Sequence, residues 1–309
     1  MLRFLLLLLV GTAVSAEPLR VAIVSRTVFY VPLWIAQDQG LLKAEGIDAT
    51  IDVYNNAEKI NEDLRSGKVD IAVGTPEAVM IDAYKGGSLR IIAGNAERLP
   101  HFIIARPHIR QWSAMRGAKI GVLSLNEGTT YLVHRMMTAN GFKPADYEVL
   151  AVGGAPTRWK LLQEGTIDAG LQPFPLSYQA EAAGFSNFGP ITQYVQNYLF
   201  TTVNADAGWA QRNAEAARGF LRGLRQGLEA MNKDRAAAIA TAVRELNTTP
   251  SLAERALEDT TKLKILSQDL SVSEPALRGT FDTLVGVGLL PKDTRFDPAR
   301  VVDASYLRP

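Results

Sequence analysis

Two stretches of this chain nearly repeat each other about a hundred residues apart. Segment 64–73 reads LRSGKVDIAV, and segment 162–171 reads LQEGTIDAGL, 98 residues later. Upstream, RVAIV at 20–24 is answered by KIGVL at 119–123, 99 residues later. These apolar runs are continuous rather than alternating, which is typical of parallel strands buried on both faces. The repeat therefore predicts two similar α/β lobes, each with a first strand, a helix-rich connection, and then a helix, a glycine turn and another strand.

Two lobes in one chain leave a cleft between them, and small molecules bind preferentially in clefts between domains. We predict two doubly wound α/β lobes, with a helical C-terminal extension packed on the first. Lobe 1 is predicted over residues 17–105 and 205–309, and lobe 2 over residues 106–204, including both crossing segments. A strand near 102–105 is assigned to lobe 1.

The N-terminus has the pattern of a secretory signal peptide. One positive charge at Arg3 precedes an apolar run over 4–10, and small residues at Val14 and Ala16 predict cleavage before Glu17. The alternative is a membrane anchor, but the run is shorter than the roughly 20 residues that a spanning helix needs. No cysteine follows the signal, so we do not expect a lipoprotein. The mature chain is expected in the periplasm and not embedded in a membrane.

Composition excludes several classes of function. Removal of residues 1–16 takes one basic residue from the 33 in the chain, which leaves 32 Lys and Arg against 32 Asp and Glu. This balance gives no reason to expect a nucleic-acid partner, which favours a basic excess. The chain has no cysteine, so disulfides, thiolate metal sites and cysteine nucleophiles are excluded.

Three loops are candidates for ligand contact, because ligands of doubly wound sheets bind where strands end and helices begin. They lie at 26–30, 74–76 and 125–130, with Trp34 one turn into the helix after the first loop. Free N–H groups and hydroxyls at a helix start favour a carboxylate, sulfonate or phosphate, although helix capping would equally explain the threonines of the third loop. The candidates from these loops are Thr27, Phe29, Tyr30, Trp34, Gly74, Thr75, Pro76, Glu127, Gly128, Thr129 and Thr130.

Three further candidates come from the second half of the chain. Arg158 begins a helix and could bind a carboxylate with its guanidinium, although an arginine in an exposed first turn is usually solvated. Pro173 and Phe174 correspond to Thr75 and Pro76 in the repeat, so they are expected to face the cleft. The Phe174 ring could stack on an organic ligand or belong to the core. Glu127 is expected at the solvated surface, because an unpaired glutamate is rarely buried.

No pattern predicts catalysis. The three histidines, His101, His108 and His134, lack metal-ligand spacing and are interpreted as surface or packing residues. The chain has no nucleophile elbow, no phosphate-binding loop and no dinucleotide fingerprint. We therefore predict no catalytic residues, no metal site and no cofactor.

The chain resembles a known superfamily along essentially its whole mature length. Segment 30–47, YVPLWIAQDQGLLKAEGI, resembles the opening helix of periplasmic substrate-binding proteins of the nitrate/sulfonate/taurine and thiamine-precursor superfamily. Segments 67–74 and 117–122 fit its later signatures, and segment 213–221 fits a late helix. The order and spacing of these segments together carry the resemblance.

The resemblance implies a type II periplasmic binding fold that delivers a small solute to the permease of an ABC importer. The two lobes would close on the ligand by hinge motion, and ligand contacts carry over onto 27–30, 74–76 and 127–130. A monomer that binds a small organic acid, a related anion or a heterocycle is expected. The rings of Phe29, Tyr30, Trp34 and Phe174 favour a ligand with a flat or apolar part.

Two alternatives stay open. A binding protein that presents its closed form to a membrane receptor would use the same closure for sensing. Some members of the superfamily are enzymes that make a thiamine pyrimidine with a cysteine-rich iron motif, and the predicted signal and the lack of cysteine weigh against that activity. A neighbouring permease and ATPase gene pair would favour import, whereas a lone histidine kinase gene would favour sensing.

The third loop yields a first test. Replacement of both Thr129 and Thr130 by alanine is expected to weaken ligand binding more than tenfold if this helix start holds an anion. Isothermal titration of the double variant measures the change, and an unaltered affinity would remove this loop from the anion site.

Overall fold

The computed structural model describes residues 17–308, and the predicted signal peptide at 1–16 lies outside the described residues. Within these residues, ten strands form two five-stranded sheets. The strands are β1 (Glu17–Ile23), β2 (Ile47–Val53), β3 (Ile71–Gly74), β4 (Leu89–Ala96), β5 (His101–Ala105), β6 (Lys119–Val122), β7 (Glu148–Ala151), β8 (Ala169–Pro173), β9 (Ser186–Pro190) and β10 (Thr201–Asp206).

Helices cover the sheets and continue to the C-terminal end of the described chain. They are α1 (Val31–Asp38), α2 (Leu41–Ala44), α3 (Ala57–Arg65), α4 (Glu77–Tyr84), α5 (Gly128–Ala139), α6 (Ala155–Glu164), α7 (Leu176–Ala182), α8 (Ala207–Arg212), α9 (Ala214–Lys233), α10 (Arg235–Leu246), α11 (Pro250–Lys262), α12 (Glu274–Gly286) and α13 (Pro298–Val301). Local chemistry sets several boundaries. Pro32 lies in the first turn of α1, and the Asn56 side chain caps α3 by accepting from Lys59 N at 2.8 Å.

The two sheets have the same topology. The strand order is β2-β1-β3-β10-β4 in the first sheet and β7-β6-β8-β5-β9 in the second. In each sheet the three leading strands run parallel, and the fourth strand in the order runs antiparallel to its neighbours. The predicted pair of α/β lobes is confirmed, and the repeat in the sequence corresponds to a repeat in the fold.

Two strands belong to the opposite sheet from the one expected. The strand at 101–105 pairs with β8 and β9 in the second sheet, not with the strands of lobe 1. Conversely, β10 lies between β3 and β4 in the first sheet, although residues 201–204 were assigned to lobe 2. The chain therefore crosses at 97–100, not at 106–117, and returns before residue 201. An apolar run predicts a strand but does not encode its partner, because both sheets offer the same backbone donors and acceptors.

An aspartate in each copy of the repeat ties two strands together. The Asp70 carboxylate accepts a hydrogen bond from Arg20 N at 2.9 Å, and Asp70 N donates to Arg20 O at 2.9 Å. In the second lobe, the Asp168 carboxylate accepts from Lys119 N at 2.9 Å, and Asp168 N donates to Lys119 O at 2.8 Å. The same contact thus fixes the first strand of each lobe beside the third, which explains why the repeat keeps an aspartate at this position.

The predicted packing of the C-terminal helices on lobe 1 is confirmed, because α9 packs along α1 and α2. Three glycines at intervals of four residues, Gly219, Gly223 and Gly227, lie on the contacting face. A Cβ atom at Gly227 would overlap the carbonyl oxygen of Pro32, and one at Gly223 would lie 2.7 Å from the Leu42 side chain. The glycines therefore let the helix backbones approach each other closely.

No helix within residues 17–308 combines the length and the hydrophobicity required to cross a bilayer.

The close contact at Gly227 predicts that two glycine-to-alanine substitutions change the free energy of unfolding in opposite directions. Gly227→Ala is expected to lower the free energy of unfolding by about 1–3 kcal/mol, because the added methyl group forces α9 away from α1. Gly286→Ala, at the end of α12 with no atom within 4 Å of an added Cβ, is expected to raise it by up to about 1 kcal/mol through helix propensity. Urea unfolding of both variants checks this, and equal effects would contradict the packing argument.

Candidate functional site

The two lobes meet around a small cavity at the carboxyl ends of their parallel strands. Its volume is about 20 Å³, close to the space that one water molecule occupies. Across the cleft, Ala57 N of lobe 1 donates to Ser124 Oγ of lobe 2 at 3.3 Å, so the lobes are closed on each other. The cavity is lined by Val24, Ser25, Thr27, Phe29, Thr75, His101, Leu123, Glu127, Thr129, Gly154, Ala155, Arg158 and Phe200.

Six of the fourteen residues predicted to contact a ligand line this cavity. They are Thr27, Phe29, Thr75, Glu127, Thr129 and Arg158. All three predicted loops are represented, together with the helix start that contains Arg158. The fold therefore brings together segments that are far apart in the sequence, at the sheet edge where the strand–loop–helix pattern placed them.

The other candidates lie around the cavity without lining it. Tyr30 and Trp34 are buried in the core of lobe 1, with their ring centroids 6.1 Å apart. Gly74 ends β3, Pro76 precedes α4 and Pro173 ends β8. The Thr130 hydroxyl donates to Ser124 O at 2.6 Å. Gly128 packs against lobe 1.

Phe174 lines a different and larger cavity of about 410 Å³. Its ring stacks on Tyr178, with centroids 5.7 Å apart. The other walls include Leu99 and Pro100 from the crossing between the sheets, and Leu263 and Ile265 after α11. His101 lines both cavities and therefore lies between them.

Glu127 is buried rather than solvated, with only 2% of its surface exposed, which corrects the expectation from its side-chain type. Its carboxylate accepts hydrogen bonds from the backbone N–H of Thr129 at 2.9 Å and from the Thr129 hydroxyl. It therefore caps the otherwise unpaired N–H groups at the start of α5, where an anionic ligand was expected. Burial raises the pKa of the Glu127 carboxyl, while Thr129 and the charge of Arg158 act in the opposite direction.

Arg158, a candidate for ligand contact, is also buried, with 3% of its surface exposed, so the alternative of a solvated side chain does not hold. Its Nε and Nη2 donate to Leu171 O at 3.2 and 2.9 Å, and its Nη1 donates to Gly153 O at 2.8 Å. Burial lowers its pKa to about 10, and the charge of Glu127 opposes that shift. The guanidinium therefore keeps its charge at neutral pH, and two of its five N–H groups are not used by these contacts.

His101 was interpreted as a surface or packing residue, and it is a cavity residue with 3% exposure. Its ring packs on Phe200 at 4.8 Å between centroids and lies 6.5 Å from Phe29. Burial, with a further contribution from the Arg158 charge, holds its pKa well below the usual value, so the imidazole is neutral. No spacing rule could have found it, because its place depends on the pairing of β5 with β8 and β9.

Two polar atoms in this cavity have no hydrogen-bond partner within the described chain. They are His101 Nδ1 and Thr27 Oγ1, and both are buried. Buried polar groups in proteins are almost always satisfied, by the protein or by ordered water. The lining combines two phenylalanine rings and an imidazole with one guanidinium and one buried carboxylate.

Metal ligation has no basis in residues 17–308, which bring no three His, Asp or Glu side chains together as a set that could hold an ion.

Solved structures of binding proteins have the same fold. The alkanesulfonate-binding protein SsuA of Xanthomonas axonopodis pv. citri is 17% identical and superposes with a TM-score of 0.74, covering 92% of this chain and 97% of SsuA. The periplasmic nitrate-binding protein NrtA of Synechocystis PCC 6803 is 14% identical, with a TM-score of 0.73 over 94% of this chain and 87% of NrtA. At such low identity these similarities show the fold alone, and that fold is the periplasmic binding protein fold.

The sequence also matches a family profile over residues 29–238, described as NMT1/THI5 like. The chain belongs to the NMT1/THI5-like family. Among curated proteins, it is similar to the 4-amino-5-hydroxymethyl-2-methylpyrimidine phosphate synthase THI5 of Saccharomyces cerevisiae, with 24% identity over 149 residues. That match covers 47% of this chain and 42% of the yeast protein, so the chain spans less than half the length of this relative.

The environment of His101 predicts its titration. Because the pKa of the folded imidazole is depressed, the histidine contributes stability above its ordinary pKa of about 6.5. That contribution is lost as the pH falls further, since only the unfolded chain takes up the proton. NMR of ¹⁵N-labelled imidazole is expected to show His101 neutral at pH 6, with the signal assigned by its loss in His101→Gln. A protonated ring at that pH would contradict the burial argument.

Proposed function

We propose that this protein is the periplasmic solute-binding component of an ABC importer. It acts as a monomer without catalytic activity, and it holds one small molecule between its lobes by hinge closure. The cavity carries this proposal, because its lining comes from both lobes and includes buried polar atoms without protein partners. The fold shared with sulfonate- and nitrate-binding proteins supports it.

The lining suggests the class of ligand. Donors come from the two remaining N–H groups of Arg158, the Thr27 hydroxyl and the start of α6, where Gly154 and Ala155 line the cavity. Such a set favours a carboxylate or another small oxyanion. Phe29 and Phe200 form an aromatic wall, which favours a planar body. A small organic acid, a related anion or a nitrogen heterocycle fits these groups.

Sensing is the alternative use of the same site, because a closed binding protein could equally dock on a membrane receptor. Reconstitution with the permease of a neighbouring operon separates the two, since import requires ligand-dependent transport across vesicles.

The partial similarity to a yeast synthase makes a small test of catalysis worthwhile. A ligand recovered chemically unchanged after prolonged incubation would support binding without turnover.

A thermal-shift screen is the experiment that tests binding. The chain from residue 17 is unfolded and refolded to remove co-purified ligand, and then tested with sulfonates, nitrate, aromatic and aliphatic carboxylates, pyrimidines and flavins. A ligand at 100 times its Kd adds about 2.7 kcal/mol to stability, which raises the Tm of a chain of this size by several degrees. A shift confined to one chemical class is expected, and no shift from any class would contradict the proposed ligand classes.

Two matched variants locate the ligand. Thr27→Val removes the unpartnered hydroxyl while keeping the shape, and it is expected to weaken binding about 3- to 10-fold, the effect of one hydrogen bond. Phe174→Leu changes the larger cavity and is expected to leave the affinity within about twofold, since that residue does not line the cleft site. The reverse pattern would place the ligand in the larger cavity.

A further inference from the structure

A buried carboxylate lies where the two lobes touch. Glu77 begins α4 in lobe 1 and is 1% exposed. Its Oε1 accepts a hydrogen bond from the Tyr198 hydroxyl at 2.6 Å, while its Oε2 has no partner. No lysine, arginine or histidine within residues 17–308 forms a salt bridge with it, since all fifteen such pairs involve other carboxylates. An uncompensated charge in such a place is strongly unfavourable.

The element that covers this carboxylate belongs to the other lobe. Gly128, the first residue of α5, lies so close that a Cβ atom there would overlap Glu77 Oε1 and the Tyr198 hydroxyl. The start of α5 therefore packs directly on the carboxylate when the lobes are closed. Separation of the lobes would lift α5 away and return Glu77 to water.

Closure also brings a second carboxylate toward Glu77. Glu127 is adjacent to Gly128, and its negative charge acts on Glu77. The other groups that act on Glu77 are the hydroxyls of Tyr198 and Thr75 and its own backbone. The positive charge of Arg158 acts on Glu127 and is not among the groups that shift Glu77.

Burial is the largest effect on Glu77, followed by repulsion from Glu127, and together they raise its pKa to about 8. Hydrogen bonding to the charged form opposes this shift. The neighbouring phenols do not titrate near neutral pH, because burial and the nearby carboxylates raise the pKa of Tyr131 to about 12 and that of Tyr198 well above its usual value. The two carboxyls of the cluster remain, and burial raises the pKa of both, to about 8 for Glu77.

We propose that closure of the cleft takes up one proton at Glu77, so that the closed, ligand-holding state is favoured as the pH falls. The inference rests on the proposed function for the hinge opening of the cleft and for the assignment of ligand retention to the closed state. Proton uptake and closure can be measured without any ligand, so failure of a ligand screen would leave this proposal unaffected.

The sign and range follow from the two environments of Glu77. In the open state the hydrated carboxyl has its ordinary pKa of about 4.3, and in the closed state its pKa is about 8. Between these values the closed form binds one proton more than the open form, so the closed-to-open ratio falls as the pH rises, by at most about tenfold per pH unit. His101 contributes in the opposite direction only below its ordinary pKa of about 6.5. The range above that value isolates Glu77.

A distance measurement between the lobes tests the proposal directly. Because the chain has no cysteine, Lys68→Cys and Lys160→Cys supply two unique labelling sites, one exposed on each lobe. Pulsed electron–electron double resonance of the spin-labelled protein then measures the closed and open populations between pH 6.5 and about 9. This range brackets the pKa of Glu77 in the closed state. Glu77→Gln keeps an acceptor for Tyr198 but cannot take up a proton, and Glu62→Gln on the exposed face of α3 is the control.

The closed population is expected to decrease with rising pH in the parent protein and in the Glu62→Gln variant. It is expected to be independent of pH in Glu77→Gln. An unchanged pH profile in Glu77→Gln, or a flat profile in the parent protein, would overturn the proposal. If Glu77→Gln does not fold, infrared spectroscopy of the parent protein decides, because a protonated carboxyl band must be present at pH 7 and vanish above the closed-state pKa.

Discussion

The fold depends on one strand, β10, which returns to the first sheet after the chain has built the second. β10 is hydrogen-bonded on both sides, to β3 and β4, after the chain has completed the second lobe. β5 is hydrogen-bonded to β8 and β9 after the chain has left the first lobe. The first sheet therefore needs a strand that follows the whole second lobe, and the removal of β10 or of β5 would leave two unpaired edges inside a sheet.

The two crossings between the sheets determine how the lobes could move in the proposed closure. The covalent links between the sheets are confined to the crossing at 97–100 and to the return that ends before β10. Each sheet is a hydrogen-bonded unit, so the proposed hinge closure would rotate one sheet against the other about these links.

The electrostatics of the cleft follow from this geometry. Arg158 is buried together with Glu127, and His101 beside them stays neutral. All three groups line the cavity to which both lobes contribute. In the proposed closure, one movement would exclude water, strengthen the interactions with a ligand and change the protonation of a nearby carboxyl.

The sequence contains much of this architecture, because local signals repeat. The aspartates at 70 and 168 follow the same helix–glycine turn, and their repetition predicts two lobes with matched strands. The three strand–loop–helix patterns place Thr27, Thr75 and Thr129 at the cleft, where the cavity brings them together. These features depend on short-range chemistry, which a sequence pattern records.

Other features depend on contacts between distant segments and leave no local pattern. The sheet to which β5 belongs is decided by hydrogen bonds to a strand about 70 residues later in the chain. Glu127 and Arg158 lie at helix starts, where their residue types predict exposure, and they are buried because they line a cavity between the lobes. His101 lines the cavity because β5, which it begins, belongs to the second sheet.

The glycines of α9 bear on the order in which the lobes become complete. A helix with glycine at 219, 223 and 227 forms poorly on its own, since each glycine costs about 1 kcal/mol relative to alanine. It gains stability only where α1 and α2 already present a surface that fits its bare backbone. Because those helices lie near the start of the chain and α9 follows the whole of lobe 2, lobe 1 begins first during synthesis and finishes last. The face of α1 and α2 that contacts α9 therefore stays uncovered until α9 has been synthesised.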